Sequence, residues 1–380
     1  MFFNSLRTTA FRNLADKEIF TGVKDVFLVG ENGQGKTNFL EAVYFCAYAS
    51  SFRTVRDSEL SRNSLIMQNN ITDNDEYINE KDFSAEVKLS NSLNDSILVK
   101  VEKEKKLIYI DGKRAEDRRA LLSITPSIVF CHEDMEFISG SPERRRWFFD
   151  QTLSLYDPVY LDDLRKYRRV LKTRNSILRD HIQGKQIDNF EQVLDVLDPQ
   201  LAGYGQKLME KRQAAVKEYS GIFGALYEEV SGISGLTIQY TQSWKEDNII
   251  SHLQKRRTAD ISAGLSLSGP HRDRYQFIKN SPNQKSNEFT GSASTGQRRL
   301  LALLLRSAQS RCYSAMTGQK PVLLLDDVLL EMDGEKRRRF LLALPDYDQA
   351  FYTFLPDEPY QRYQKDDTLI YTVKGGEVFQ

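Results

Sequence analysis

The sequence predicts an α/β nucleotide-binding core that carries a β-subsheet and an inserted helical arm. Three observations predict it. Near the start, Gly30-Glu31-Asn32-Gly33-Gln34-Gly35-Lys36-Thr37 fits G-x-x-x-x-G-K-[ST]; it lies between an apolar run, Val26 to Val29, and Phe39, Leu40, Val43 and Tyr44 at helical spacing. Near the end, Val322-Leu323-Leu324-Leu325 runs straight into Asp326-Asp327. Between them, from about Ser141 to about Glu229, the pattern changes from strands to long helices. The implied organisation is an N-terminal part of the core over 1–140, a helical arm or lid over 141–235 and a C-terminal part of the core over 236–380, so both chain ends build the core.

Taken in order, residues 2 to 20 alternate loosely and read as strands leading into Val26 to Val29. The polar, turn-rich stretch Gln68 to Glu76 reads as a surface excursion. Phe83 to Leu89, Ile97 to Glu102 and Leu107 to Ile110, closed by Asp111-Gly112, read as antiparallel strands of the subsheet, and Ser127 to Phe130 as a further buried strand. Ser141-Pro142 is a helix start; a second helix begins near Pro158 and a third near Asp188, interrupted at Pro199. These helices carry one-sided apolar stripes and pack on each other, too short for a long coiled coil. Strands return at Leu236 to Tyr240 and Tyr275 to Ile278, followed by a helix from about Ser294 to Tyr313, the Val322 to Leu325 strand, a charged helix around Glu335 to Arg339, and a strand at Phe351-Tyr352.

Composition narrows the function classes. Lys+Arg and Asp+Glu both total 53, so any surface that attracts nucleic acid is local. Cys46, Cys131 and Cys312 are far apart and form no C-x-x-C pair, which argues against a disulfide framework and against a zinc site. No apolar run approaches the ~18 to 20 residues of a membrane span, and the first residues lack the order of a signal peptide. The expectation is a soluble cytoplasmic protein.

The glycine loop supplies the first half of the chemistry. Its glycines let successive N–H groups point into a concave anion site, which the positive end of the following helix also faces. Lys36 supplies a mobile charge for β/γ-phosphate oxygens, and the Thr37 hydroxyl can ligate Mg²⁺. At the carboxyl end of a parallel strand, Asp326 emerges at the phosphates to hold that ion and Asp327 reaches one step further, to the attacking water; the plainer alternative is that either aspartate caps a helix. Ser292-Ala293-Ser294-Thr295-Gly296-Gln297-Arg298-Arg299 opens an apolar helix and offers a second anion site, or an ordinary capped helix start.

The order of these elements, with Leu325-Asp326-Asp327 and Glu331-Met332-Asp333, resembles the ABC-type ATPases of the SMC group and, within it, the bacterial RecF family. Phe11-Arg12-Asn13, Ser51-Phe52-Arg53, Gly140-Ser141-Pro142 with Arg144-Arg145-Arg146, and Gly269-Pro270-His271-Arg272-Asp273 extend the resemblance over nearly the whole chain. The resemblance implies an ABC/SMC-type ATPase head that forms a head-to-tail homodimer around two ATP molecules. Each ATP is gripped by Gly30 to Thr37 with Asn38 in one copy and by Ser294, Thr295, Gly296 and Gln297 of the other. It also implies catalytic roles for Asp327, Lys36 and Thr353, a metal site of Thr37 and Asp326, DNA binding in recombinational and replication-gap repair, and action with RecO and RecR in loading the RecA recombinase. This sequence departs from the family pattern at Leu330, where a Ser is usual, at Cys131-His132, and at Phe354, where a second Thr is usual.

One local cation excess fits a DNA partner: between Arg144 and Lys185 there are eleven Lys/Arg against five Asp. Arg165, Arg168, Arg169 and Lys172 recur three to four apart on one helix face, and Arg144 and Arg145 precede them; the alternative is a solvated face with local ion pairs. Two other functions use the same phosphate loop: an ATP-binding subunit of a membrane transporter and a small-molecule kinase. The helical middle of the chain is superfluous to the first, and Ser294 to Gln297 to the second.

Overall fold

The computed structural model describes residues 2–54, 56–62, 82–90, 95–246, 248–281, 284–328, 332 and 334–380. The expected excursion at 68–76 and the departure at Leu330 lie outside the described residues. The chain divides into two compact units, 1–134 with 313–380, and 135–312.

The first unit is built on two sheets. One is antiparallel, in the order β2 (Glu18–Phe20), β1 (Phe2–Thr9), β4 (Phe83–Ser90), β5 (Ser96–Glu102), β6 (Lys105–Ile110), β7 (Lys113–Ala115). β5 alternates buried and half-buried positions, as the sequence period of two requires. The other sheet has the order β15 (Glu377–Phe379), β14 (Leu369–Lys374), β3 (Asp25–Val29), β13 (Ala350–Phe354), β12 (Val322–Leu325), β8 (Ser127–Phe130). β14, β3, β13, β12 and β8 are mutually parallel, and β3, β8, β12 and β13 are buried throughout, which explains their continuous apolar runs. Helix α1 (Lys36–Tyr48) packs against strands of both sheets and is buried on all sides from Phe39 onward. Phe39 meets Phe351 of the parallel sheet at 6.2 Å between ring centroids, and Phe45 meets Phe83 of the antiparallel sheet at 5.5 Å.

The second unit contains the short helices α3 (Met135–Ser139) and α8 (Phe289–Ser292), the longer α4 (Pro142–Tyr156), α5 (Pro158–Ile182), α6 (Phe190–Ser231) and α7 (Ile249–Ala263), most of α9 (Thr295–Thr317), and a three-stranded sheet of β9 (Leu236–Thr241), β10 (Arg274–Ser281) and β11 (Gln284–Glu288). The first unit also holds α2 (Arg119–Ile124) and α10 (Gly334–Leu342). Asp157 caps α5 by accepting from the Tyr160 N–H at 2.8 Å, with Pro158 in the first turn.

The expected interruption at Pro199 does not occur. α6 runs 42 residues with Pro199 inside it, a length of about 63 Å at 1.5 Å per residue. A proline inside a helix removes one main-chain hydrogen bond, but tertiary contacts on both sides hold the helix on course. Asp198 is buried and accepts from Arg174 Nε and from an Arg257 guanidinium nitrogen, each at 2.8 Å, and Leu194, Leu201 and Leu208 are fully buried along the same helix.

A buried ionic knot sits at the centre of this unit. Arg212 donates to Asp150 at 2.7 Å, to Asp273 at 2.9 Å and to the Pro270 carbonyl at 2.8 Å, while the Tyr240 hydroxyl and the Ser243 N–H also donate to Asp273. Gly269 has φ +135°, and a Cβ there would stand 2.7 Å from the Tyr167 hydroxyl. His271 Nε2 donates to the Ser266 carbonyl at 2.9 Å, leaving Nδ1 to accept from Tyr167 at 2.7 Å. Burial pushes this imidazole down to about 4, in keeping with a neutral ring. Gly269 to Asp273 is thus the chain segment that closes the knot.

Arg212→Met strands Asp150 and Asp273 as buried charges, so urea denaturation should show a loss of about 3 to 5 kcal/mol. Part of that loss should return as pH falls toward 5, because the stranded carboxylates then take up protons in the folded state. Equal losses at both pH values would contradict this account of the knot.

Candidate functional site

β3, β13 and β12 are neighbours and point the same way, so the segments that leave their carboxyl ends converge. The loop Gly30 to Gly35 leaves β3, Thr353 is the last residue but one of β13, and Asp326-Asp327 follow β12. The Thr37 hydroxyl donates to Asp326 Oδ1 at 2.8 Å. Thr353 Oγ1 accepts from the Asp327 N–H at 2.7 Å and donates to Asp327 Oδ1 at 2.8 Å. This two-point grip holds Asp327 at φ +50°, a left-handed backbone that few residues other than glycine, asparagine and aspartate adopt. Phe354, one residue on, faces the other side of the sheet, where it packs on Phe27 at 4.9 Å and on Tyr360 at 5.9 Å. The departure from threonine at that position therefore leaves the Thr353 and Asp327 contacts untouched.

The loop is formed as the glycine spacing requires. Gly33 and Gly35 have φ of +75° and +116°, and a Cβ on Gly30 would overlap the Val373 carbonyl oxygen. Lys36 is 4% exposed and folds back, its Nζ donating to the carbonyls of Gly30 at 2.7 Å and Glu31 at 3.2 Å. α1 begins at Gly35 with no side-chain cap and no acidic residue in its first turn, so its positive end is left to a ligand. Asn38 donates to Asn13 Oδ1 at 2.8 Å and accepts from Arg53 at 2.9 Å.

Crowding two carboxylates here has an electrostatic consequence. Partial burial, then the charge of Asp327, push the Asp326 carboxyl up to about 7, against a smaller lowering by the Thr37 hydroxyl and by Arg53. A hydroxyl and a hard carboxylate with a raised affinity for protons form a donor set suited to Mg²⁺, which completes its shell with water and substrate phosphates.

Below the loop lies a second charged arrangement whose role the sequence left unread. Arg12 binds Glu41 bidentately at 2.9 and 3.0 Å and donates to the Glu59 carbonyl at 2.7 Å, and Ser51 also donates to Glu41, which is fully buried in α1. A lone glutamate within the apolar run Phe39 to Ala49 is the signal that a cationic partner is needed.

In the second unit, Ser294 to Gln297 form a reciprocal cap: the Ser294 N–H donates to Gln297 Oε1 at 2.8 Å, and the Gln297 N–H donates to Ser294 Oγ at 3.2 Å. The S-x-x-Q spacing carried that signal in the sequence. Ser294, Thr295 and Gly296 are exposed, and a Cβ on Gly296 would meet no described atom within 4 Å. Of the basic residues, Arg168, Arg169 and Lys172 are exposed on α5, Arg168 with Asp150 at 3.2 Å, and Arg165 is half-buried. Arg144 pairs with Glu136 at 2.6 Å, whereas Arg145 turns inward to the carbonyls of Ile138 at 2.7 Å and Tyr275 at 3.1 Å. Arg174, counted in the basic run, is fully buried between Asp198 and Asp260.

The sheet order, the loop and the paired aspartates define an ATPase head of the SMC type, and the RecF/RecN/SMC N-terminal domain matches residues 2–368. Among curated relatives, the DNA replication and repair protein RecF of Treponema pallidum is 40% identical over 96% of this chain and 97% of its own length. That of Clostridium kluyveri is 31% identical over 100% and 99%. A solved structure of the recombination mediator protein RecF with ATP, in the RecFOR pathway, superposes with a TM-score of 0.81 at 25% identity, covering 99% of this chain and 96% of that one. An Smc head bound to a winged-helix domain of ScpA shares the fold, with a TM-score of 0.55 at 15% identity over 100% of this chain and 96% of that one. The chain belongs to the RecF family.

A carboxyl raised from 3.8 to about 7 opposes folding above that pH and ceases to do so as pH falls below its unfolded value. Asp326→Asn should therefore stabilise the nucleotide-free protein at pH 8 by on the order of 3 kcal/mol, with the gain shrinking toward pH 4. Thermal melts of the two proteins across that range check it; a gain that grows as pH falls has the wrong sign.

Proposed function

We propose that this chain is an ATP-dependent DNA-binding protein of recombinational and replication-gap repair, a slow ATPase that works as a binding switch in the cytoplasm. The observation that carries the reading is the convergence of Thr37, Asp326, Asp327 and Thr353 at one edge of the parallel sheet, beside a phosphate loop. The names of its relatives, DNA replication and repair protein RecF, support the same reading, and they disfavour the transporter-subunit alternative.

Gly30 to Thr37 and Asn38 receive the polyphosphate, with Lys36 exchanging the Gly30 and Glu31 carbonyls for β/γ oxygens. Thr37 and Asp326 would hold Mg²⁺, which would supply positive charge next to the phosphates. Thr353 fixes Asp327, and Asp327 orients the attacking water. A second copy supplies Ser294, Thr295, Gly296 and Gln297 to the γ-phosphate. The bare Cα of Gly296 serves no packing need among the described residues of its own chain, and it leaves room for close approach from outside. ATP binds only the dimer in full, so it shifts the equilibrium toward the dimer, and loss of the γ-phosphate contacts releases it.

Duplex next to single-stranded DNA lies on the exposed face of Arg168, Arg169 and Lys172, and Arg165 and Arg144 add further phosphate contacts; Arg145 serves to hold the fold. RecR and RecO are the protein partners, and support of RecA loading is the outcome.

Sedimentation with and without ATP and Mg²⁺ tests the switch. Lys36→Met should abolish ATP binding, Asp327→Asn should bind ATP and persist as a dimer, and Ser294→Arg should bind ATP yet stay monomeric. A monomeric ATP complex of Asp327→Asn contradicts the scheme.

Replacing Arg168, Arg169 and Lys172 together by Ala should weaken DNA binding equally across sequences and flatten its log–log salt dependence by roughly 2 to 3. An unchanged slope places the DNA elsewhere.

A further inference from the structure

Within G-x-x-x-x-G-K-[ST] the four central positions are open as far as phosphate chemistry is concerned, yet Gln34 is fixed at both its ends. Its carbonyl accepts from the Gly376 N–H at 2.8 Å and from Asn13 Nδ2 at 3.4 Å, and its side-chain Oε1 accepts from the Gly375 N–H at 2.7 Å. Gly375 and Gly376, with φ of +57° and +85°, form the tight turn between β14 and β15 at the far end of the chain. The fit leaves no slack: a Cβ on Gly376 would overlap the Asn13 carbonyl, and one on Gly35 would stand 3.0 Å from Asn13 Oδ1. The turn is anchored in its place, since the Ala15 N–H donates to the Gly376 carbonyl at 3.0 Å and Lys17 pairs with Glu377 at 3.2 Å.

Gln34 stands between Gly33 and Gly35, both in the left-handed region. Glycines on either side make a loop cheap to deform, so its shape is set by whatever holds the residue between them. We propose that Gln34 and the Gly375-Gly376 turn form a clamp that preorganises the phosphate loop, which makes Gln34 a positioning residue and the C-terminal hairpin a determinant of nucleotide affinity. The inference rests on the ATP reading above. Its physical content is that the ordering of the loop is accomplished before the ligand arrives, so that less of the binding free energy is spent on it. Coupling of this kind is reciprocal: if the clamp tightens nucleotide binding, bound nucleotide tightens the clamp by the same factor.

The test compares the full chain with Gln34→Met, which keeps the shape and removes the acceptor, and Gln34→Ala. Titration with a fluorescent methylanthraniloyl-ATP should show affinity weakened about fivefold to tenfold in both variants, the worth of one hydrogen bond. Thermal melts of the nucleotide-free proteins should differ by no more than the loss of that one hydrogen bond, which shows that the fold is kept. Hydrogen exchange of the peptide spanning 370–380 should slow on ATP binding in the parent, and that slowing should be lost in the variants. Parent binding with variant affinities unchanged, or with the same slowing, overturns the clamp and leaves the ATP reading intact. A parent that takes up no nucleotide, with Lys36→Met indistinguishable from it, overturns the ATP reading and the clamp's role in it together.

Discussion

The parallel order of β3, β13 and β12 is the constraint on which the site of the first unit depends, and the hydrogen bond from Thr37 to Asp326 is its direct result. That bond joins residues 289 apart in sequence, and it forms only because β13 is inserted between β3 and β12 with all three strands parallel. That order brings Thr353 beside Asp327. It also requires the crossover that carries α1 between the two sheets, where the helix is buried on all sides. Every change that moves β12 relative to β3 therefore changes the distance between a hydroxyl and a carboxylate that belong to opposite ends of the chain. The fold is stable despite this site rather than because of it. The half-buried Asp326 carboxyl, with its raised proton affinity, opposes folding unless a proton or a cation compensates it, and Asp327 beside it is held in a left-handed backbone.

What could be read from the sequence follows from where period and punctuation are strong. Val26 to Val29, Val322 to Leu325 and Phe351-Tyr352 are apolar runs too short for helices, and each lies in a buried parallel strand. Ser141-Pro142 and Pro158 open helices at those residues. Pro199 misled, because a local rule about a lost hydrogen bond carries no knowledge of Arg174 and Arg257 gripping Asp198 beside it. The strand Leu369–Lys374 and the helix Ile249–Ala263 were not anticipated. The first ends on two consecutive glycines that read as a loop, and the second carries Lys255, Arg256 and Arg257 in a row, which blurs its apolar stripe.

The candidate site was legible by residue type but not by geometry. The loop and the paired aspartates announced a phosphate and a cation. Nothing in their spacing announced that Gln34 is held by the last turn of the chain, or that Arg12 exists to satisfy a buried Glu41. Charge counts misjudge in the same way. Within one basic run, Arg174 is a fully buried structural cation and Arg145 a donor to carbonyls, while Arg168 and Arg169 face water. Whether an arginine is available to a phosphate is decided by the carboxylates and carbonyls that fold around it, which lie far away in sequence.

The two helix starts suited to anions differ in a way that bears on how they work. α1 has no side-chain cap, so its first N–H groups and its positive end are unspent. α9 is capped by its own Ser294 and Gln297. A site that holds a triphosphate within one chain gains from open donors, because the folded-back Lys36 satisfies the loop carbonyls until the ligand arrives. A surface that meets the same γ-phosphate only when a second copy arrives spends its remaining time in water, where an uncapped helix end frays. If a second copy does share the nucleotide as proposed, capping keeps Thr295 and Gly296 in shape for it, and the Ser294 hydroxyl, which accepts within its own chain, still has its proton to donate. On the shared-nucleotide reading, the cap and the signature are therefore one device: the interaction that makes the segment an ordinary helix start also makes it a rigid half-site.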